Sequence, residues 1–519
     1  MPNYIPYDLS QNTMVVINLR DQLQPETFEH TLAELVDNHL DLSLFAKRIN
    51  NDETGRPAYD PAIMLKIILF AYSKGITSSR DINWCCRHNI IFKALSCDSE
   101  PSFVSIANFV SSHAEAIEDL FEQILLICSQ AGLIGNELFA TDGCKIPSNA
   151  AKEWSGTFNE LEAKRKKYRT LISAHIKEHQ HLDKNEPKEA ERAKRLEQSI
   201  STIEKAYQKV DAFLKNNEPR MGKGKVVKEV KSNITDNESA KMKTSKGTIQ
   251  GYNGVATVDK KHQVIVDAQA FGEGAEHHTL RPVIETIQAR YQRLGLSEDV
   301  FKSQTIFTAD TGFANEANMK FLNENNINAY VPDNQFRSRD PKFAKQKAKY
   351  GKRHQDEVVR KKKVIDASEF DYDPLTRTCM CPSGKAMRYE GERKDGKGDV
   401  FVRFEGRLSS CEACELSERC MVNPASAKHR KGHGRVVSFK VKPKVSYTDW
   451  MKGRIDSPLG KQIYSHRMSV VEPVFANITS SKKLDRFSLR GRKKVNAQWQ
   501  LFCTIHNIEK LKNYGELVN

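Results

Sequence analysis

No run of about eighteen apolar residues occurs in the 519-residue chain, so no membrane-spanning helix is expected. The opening residues MPNYIPYDLSQ lack the basic-then-apolar pattern of a secretory leader, and a cytoplasmic protein is the expectation. Aromatic residues are few, at 8%, yet hydrophobic residues reach 39%, which is enough for buried cores and too many for a disordered chain. A phosphate-cradling nucleotide loop is also missing. GKGK at 222–225 has the wrong spacing and no Ser or Thr after its last lysine, so metal chemistry without ATP is expected. With no export signal, eleven cysteines do not read as a disulfide framework, and clustered ones are tested first as metal ligands.

The chain is long enough for two to four compact units. Lys and Arg outnumber Asp and Glu by 81 to 66, and the net charge of +15 points toward a polyanion. Basic clusters favour nucleic acid because each neutralised phosphate releases counterions. A merely soluble basic protein is the other reading of charge alone.

The first 130 or so residues read as helical. Asp60-Pro61 offers a cap followed by proline at the first helical position, before an apolar run from Ile63 to Phe70. Ser78 and Ser102 are placed to start further helices, and a fourth is expected over about 114–130, burying Ile117, Leu120, Phe121, Ile124 and Leu125. Short helices with tight turns suit a helix-turn-helix DNA binder and a plain bundle equally. A short strand, ELFATDGCK, follows. Leu196, Ile200, Ile203, Tyr207, Val210 and Leu214 then fall at four- and three-residue steps, the seam of a coiled coil. Residues 151–218 are therefore read as an antiparallel helical hairpin, turning at Asn185-Glu186-Pro187, with Arg220 to Lys231 as a basic linker. GYNGVATVD and HQVIVDAQAF read as a β-hairpin, followed by a helix, the strand SQTIFTAD, another helix and the strand NAYVPD. That order suits a mixed sheet covered by helices, an α/β core.

Asp142 and Asp310 each stand at or near the C-terminal end of a short apolar strand, where side chains of an open α/β sheet converge on ligands. Glu472 lies in a helical context, YSHRMSVVEPVFANI. Three such carboxylates suit two Mg²⁺ or Mn²⁺ ions about 3.5–4 Å apart, because hard cations take oxygen ligands and substrate phosphate. The alternatives are an Asp that caps its turn and a Glu that is a solvated surface charge.

Tyr464, Arg467 and Glu472 form Y-x2-R-x4-E, followed by Phe475 and Asn477. This resembles the Tyr/Arg/Glu signature of bacterial insertion-sequence DDE transposases, nearest to the group numbered eleven eighty-two. GRPAYDP at 55–61, SSRD at 78–81, ATDGCKI at 140–146, QGYNGVATVD at 250–259, TADTGF at 308–313 and CPSGK at 381–385 are similar to that group in the same order. So are FSLRGRKKV at 487–495 and IHNIEKL at 505–511. The resemblance implies an RNase H-like catalytic core with Asp142, Asp310 and Glu472 as its metal-binding catalytic triad. It also implies that Tyr464 and Arg467 contact substrate phosphate, which the planar guanidinium can grip bidentately. The best-known form of the signature has three residues between Arg and Glu and a Lys seven beyond the Glu. Here four residues intervene and Thr479 holds the lysine position, with Lys482 or Lys483 as replacement DNA contacts.

Cys379 and Cys381 precede Cys411, Cys414 and Cys420, and C-x-C followed by C-x2-C-x5-C resembles a structural Zn²⁺ site. Cys381, Cys411, Cys414 and Cys420 are the four candidate ligands, Cys379 the spare; reduced cysteines without metal are the alternative. Cys85, Cys86, Cys97, Cys128, Cys144 and Cys503 read as packing residues. Basic runs at 220–231, 342–363 and 482–494 are placed to track a DNA backbone or simply to face solvent.

The expected organisation has a helical DNA-binding domain over 1–132 and a catalytic core in three parts, 133–150, 231–335 and 456–519. The coiled-coil hairpin and basic linker over 151–230 and a cysteine-rich insertion over 336–455 interrupt it. The expected activity is metal-dependent cleavage at transposon ends followed by strand transfer, by a homodimer on DNA. A domesticated, non-catalytic DNA-binding protein and an RNase H-like nuclease that does not join strands are the rivals.

Overall fold

The structure, a computed structural model, describes residues 17–47, 57–182, 186–222, 227–245, 247–302, 304–343, 364–395, 400–441 and 446–515. Met1–Asn334 with Ser457–Asn519 form one compact unit, and Gln335–Asp456 form a second.

The first unit opens with helices α1 (Phe28–Glu34), α2 (Pro61–Ser73), α3 (Ser79–His88), α4 (Ile90–Ser96), α5 (Phe103–Ser112) and α6 (Ala114–Gln130). Their starts follow from local chemistry. The Asp60 carboxylate accepts from the Ala62 N–H with Pro61 at the first turn, and the Ser78 and Ser102 hydroxyls accept from Asp81 and Ser105. Each such cap satisfies an orphan donor and contributes about 1 kcal/mol. Helix α2 is buried from Met64 to Tyr72, so it is the inner helix of this layer.

Strand β1 (Leu138–Pro147) leads into α7 (Phe158–His181) and α8 (Pro187–Asn216). These two pack against each other as the expected antiparallel hairpin. Of the expected turn at Asn185-Glu186-Pro187, residue 185 lies outside the described residues, while Glu186 stands at the N-cap of α8 and Pro187 opens it. The seam positions Leu196, Ile200, Ile203, Tyr207 and Leu214 are half-buried, and Leu161, Val210 and Phe213 form a small separate core at the hairpin's base. The stretch read as a linker is partly structured. Gly222 N–H donates to Lys228 O at 2.8 Å and Val230 N–H to Arg220 O at 2.8 Å. Residues 223–226 of that run lie outside the described residues.

Strands β2 (Ala240–Thr244), β3 (Gly247–Asp259) and β4 (Ile265–Phe271) follow, then α9 (Leu280–Arg293), β5 (Ile306–Ala309), α10 (Glu316–Glu324) and β6 (Ala329–Tyr330). The sheet runs β3-β1-β5-β6, with β2 and β4 both paired along the other edge of β3. β1 is antiparallel to β3 (Asp142 opposite Ala256) and parallel to β5 (Thr141 opposite Ala309); β5 and β6 are also parallel. Sequence reading missed β2, whose alternating lysines at an edge carry little apolar signal.

Two C-terminal helices complete the unit, α11 (Pro458–Ala476) and α12 (Arg492–Tyr514). Helix α12 is buried on every side from Ala497 to Ile508, between the sheet and the N-terminal helices. β4 is an edge strand, and an edge with open backbone groups invites mispairing. Here amide side chains of α12 meet those groups. Asn507 accepts from Ile265 N–H and donates to Ile265 O, both at 2.8 Å, and Asn496 accepts from Ala270 N–H at 2.8 Å. The buried Arg290 of α9 pairs with the buried Asp267 of β4 and, at 3.2 Å, with Glu122 of α6, tying the helical layer to the sheet.

The second unit has strands β7 (Asp371–Asp373) and β8 (Thr378–Met380), and a three-stranded antiparallel sheet of β9 (Arg388–Lys394), β10 (Val400–Glu405) and β11 (Val436–Lys440). Its core is small: Ile365, Phe370, Cys379, Met387, Val402, Phe404, Cys420 and Val437. The basic run at 344–363 lies outside the described residues.

His506 of α12 accepts at Nδ1 from the Asn477 amide at 3.0 Å and donates from Nε2 to Gln263 O at 2.9 Å, so it is held as the neutral imidazole. Burial depresses its pKa to about 3, and the nearby Lys510 and Lys482 add to the shift. Below pH 6.5 the unfolded chain takes up a proton that the folded chain refuses, so stability falls with pH through the window from about 6.5 down to about 3. The expected outcome is a thermal midpoint that drops between pH 7 and pH 5 for the native chain, with a shallower slope in His506→Gln, measured by calorimetry across that range.

Candidate active site

The register of β1 and β5 sets Thr141 opposite Ala309, so the next residues, Asp142 and Asp310, stand side by side; β5 ends there, whereas β1, expected to end near Asp142, runs on to Pro147 along β3. Burial pushes the Asp142 carboxyl above its ordinary range. Arg467 and the Gly143 N–H, which donates at 2.8 Å, oppose that shift without cancelling it, and the charge of Asp310 adds to it.

The cation between them comes from α11. Arg467 is 5% exposed; its Nη2 lies 2.7 Å from Asp142 Oδ2 and its Nη1 3.9 Å from Asp310 Oδ1. Its Nε donates to Thr141 O at 3.4 Å, which fixes the guanidinium against β1. One buried arginine therefore offsets both carboxylates. Tyr464, one helical turn earlier, is half-buried on the same helix.

A third carboxylate lies within electrostatic reach of this pair, and sequence reading did not single it out. Glu276 sits in a short turn (Glu276–His278) after β4, in the stretch GEGAEHH. Burial raises its pKa; Lys145 opposes the shift, while Asp142 and Asp310 add to it by repulsion. Gly312, two residues past Asp310, makes room for it: a Cβ there would fall 1.9 Å from Glu276 Oε2. No periodicity or motif marks Glu276, because only the return of β4 beside β3 carries it to the end of β5. Gly143, Lys145, Lys243, Thr244, Ser245 and Glu276 line an open groove of about 420 Å³ with a basic rim.

Other expected residues lie elsewhere. Glu472 is exposed, five residues beyond Arg467 on α11. Among the described residues, no three His, Cys, Asp or Glu side chains gather closely enough to hold a metal ion. Lys482 needs correction as a DNA contact. It is 1% exposed, its Nζ lies 2.6 Å from Glu509 Oε2, and burial lowers its pKa, so its charge is used inside the fold. Lys483 is exposed, with its aliphatic stem over Gly75. Cys381, Cys411, Cys414 and Cys420 line a single cavity of the second unit, whereas Cys379 is buried against Met387.

A family model described as a transposase domain matches residues 17–112, which spans α1 to α5. A second, described as a transposase DDE domain, matches residues 380–512, which includes Tyr464, Arg467 and Glu472. Asp142 and Asp310 lie outside both matches and are joined to the matched part by the contacts of Arg467. No curated protein matches the chain. A transposase domain near the N-terminus, a transposase DDE domain toward the C-terminus and an arginine of that second segment closing on two aspartates of neighbouring strands agree with one another: the chain carries two transposase domains, the second of the DDE type.

Proposed function

We propose that this transposase cleaves DNA at the ends of its mobile element and joins the freed 3′-hydroxyl to target DNA, using divalent cations held by Asp142, Asp310 and Glu472. The observation that carries the reading is the adjacency of Asp142 and Asp310 on neighbouring parallel strands, bridged by Arg467 from the helix that also bears Glu472. The sheet supports it. Parallel β1, β5 and β6 with antiparallel β3 and β4 beyond β1 is the strand arrangement of an RNase H-like core, and we assign the core to that class. We also place the chain in the group numbered eleven eighty-two, on the motifs given above.

The donors fit a hard cation: oxygen ligands only, crowded enough that burial and mutual repulsion raise the carboxyls of Asp142 and Glu276. When bound, Mg²⁺ or Mn²⁺ would activate the attacking hydroxyl and offset charge on the leaving oxygen. The chain's own residues do the rest. Arg467 orients both aspartates and presents a planar fork suited to phosphate. Lys145 and Lys243 line the groove beside Glu276, where they would neutralise backbone phosphates and add affinity without reading sequence. The N-terminal helices would carry recognition of the element's ends, and two chains would hold both ends in a synaptic dimer on cytoplasmic, nucleoid-associated DNA.

A second assignment of the third acid is favoured by position. Glu276 is near enough to Asp142 and Asp310 to feel their charge, although not at ligand distance, whereas the assignment of Glu472 rests on its motif.

Cleavage and joining of DNA carrying the flanking terminal repeats, with Mg²⁺ or Mn²⁺, tests both. Asp142→Asn and Asp310→Asn are expected to bind DNA normally and lose cleavage by more than the roughly 10–100-fold typical of residues that only orient a metal ligand. Unimpaired cleavage by either variant would sink the assignment. Glu472→Gln is expected to fall with the two aspartate variants, and Glu276→Gln to lose about 10–100-fold while needing more Mn²⁺ for half-maximal rate. The reverse ranking would make Glu276 the third ligand.

A further inference from the structure

The second unit is poor in the usual source of stability. Its main core has eight buried residues, two of them cysteines, and much of the sheet surface is exposed: β9 shows six of its seven residues to solvent. Small units with so little apolar burial commonly need a disulfide or a metal to fold. All eleven cysteines of the chain are free thiols in the structure, so the disulfide route is unused.

Four thiols from three separate segments meet here. Cys381 follows β8, Cys411 and Cys414 lie in and just after the short helix Leu408–Glu412, and Cys420 ends the next, Ser417–Cys420. All four line one cavity.

The backbone around the sulfurs is arranged for them. Cys381 opens a tight turn, Cys381-Pro-Ser-Gly-Lys385, in which Gly384 adopts φ +69° and donates its N–H to Cys381 O at 2.8 Å. That turn points the Lys385 N–H at Cys381 Sγ, 3.4 Å away. It also sets Ser383 Oγ 3.1 Å from Cys414 Sγ, which draws the two cysteine segments together. Cys411 Sγ sits where two glycines leave space: a Cβ would come within 2.7 Å of it from Gly406 and 3.1 Å from Gly434.

We propose that Cys381, Cys411, Cys414 and Cys420 form a structural site for one tetrahedrally coordinated, thiolate-binding divalent cation of the zinc type, which staples the second unit. Borderline-soft Zn²⁺ suits four sulfur ligands at about 2.3 Å, and binding releases the thiol protons to solvent as four Zn–S bonds form. Among the described residues the sulfurs line the cavity without closing to ligand distance, so metal binding would draw these segments inward. Cys379 takes no part; its thiol packs on Met387 Sδ at 3.8 Å. This site is independent of the DNA chemistry proposed above and stands or falls without it.

The test uses the full chain. Zinc is quantified by mass spectrometry after exhaustive dialysis, and Co²⁺ is then substituted and its absorption recorded. The expected result is one zinc per chain and a cobalt spectrum with thiolate charge-transfer and tetrahedral d–d bands. Cys381→Ser, Cys411→Ser, Cys414→Ser and Cys420→Ser should each lose zinc or weaken the cobalt charge-transfer band, while Cys379→Ala keeps both. Where a serine variant fails to fold, chelation of the native chain gives the second reading: protease sensitivity should rise within 335–456 and reverse on adding Zn²⁺. A native chain without zinc and without cobalt–thiolate bands would overturn the proposal. So would serine variants with full zinc, or disulfides among these four in the unreduced chain.

Discussion

Two carboxylates held side by side on neighbouring parallel strands repel each other, and burial penalises the charge of Asp142 further. Asp142 and Asp310 are in that position because the β1–β5 register leaves no other place for them. The buried guanidinium of Arg467 is the compensation. Everything that positions α11 therefore also positions the site. An arginine a few ångströms out of place would leave two uncompensated acids, which costs more than the pair itself contributes.

Helix α11 is secured at its far end by a polar chain rather than by apolar packing alone. Asn477, just past the helix, donates to both His506 and Glu509 of α12, and the buried Lys482 pairs with the same glutamate. Helix α12 is in turn laced to β4 by its amide side chains, with the Trp499 indole donating to Val255 O on β3 at 3.0 Å. Fully satisfied buried networks of this kind specify one arrangement, because any shift strands a donor or acceptor away from water. Arg290 extends the same logic to the helical layer through Asp267 and Glu122. The sheet, the N-terminal helices and the two C-terminal helices thus share one connected polar skeleton.

The two long departures from this core each bring their own stabilising device. The α7–α8 hairpin closes on Leu161, Val210 and Phe213 at its base, with its start fixed by the reciprocal Thr157–Glu160 capping box. The 335–456 unit has its small β core and its thiol-lined cavity. Long insertions are tolerated when their ends are tied together locally, since loop closure grows only slowly in cost with length.

Helix starts were legible because capping is a contact between near neighbours: Asp60, Ser78 and Ser102 act on N–H groups two or three residues away. The central strands were legible from apolar runs, and so was the end of β5 at Asp310, whereas β1 runs on past Asp142 to Pro147 because it stays paired with β3. The clustering of four cysteines was legible from spacing, although the cavity they share was not. Three things depended on contacts between residues far apart in the chain. Glu276 reached the aspartates only through the return of β4; Lys482 turned inward because Glu509 waits one helix later; and Arg467 became the cation between two acids more than 150 residues upstream. By itself the sequence determined most of the elements and their order, because these rest on local hydrogen bonding and hydrophobic periodicity. The tertiary structure alone decided which charges meet, because an ion pair depends on distance in space, and distance in space is set by register and packing.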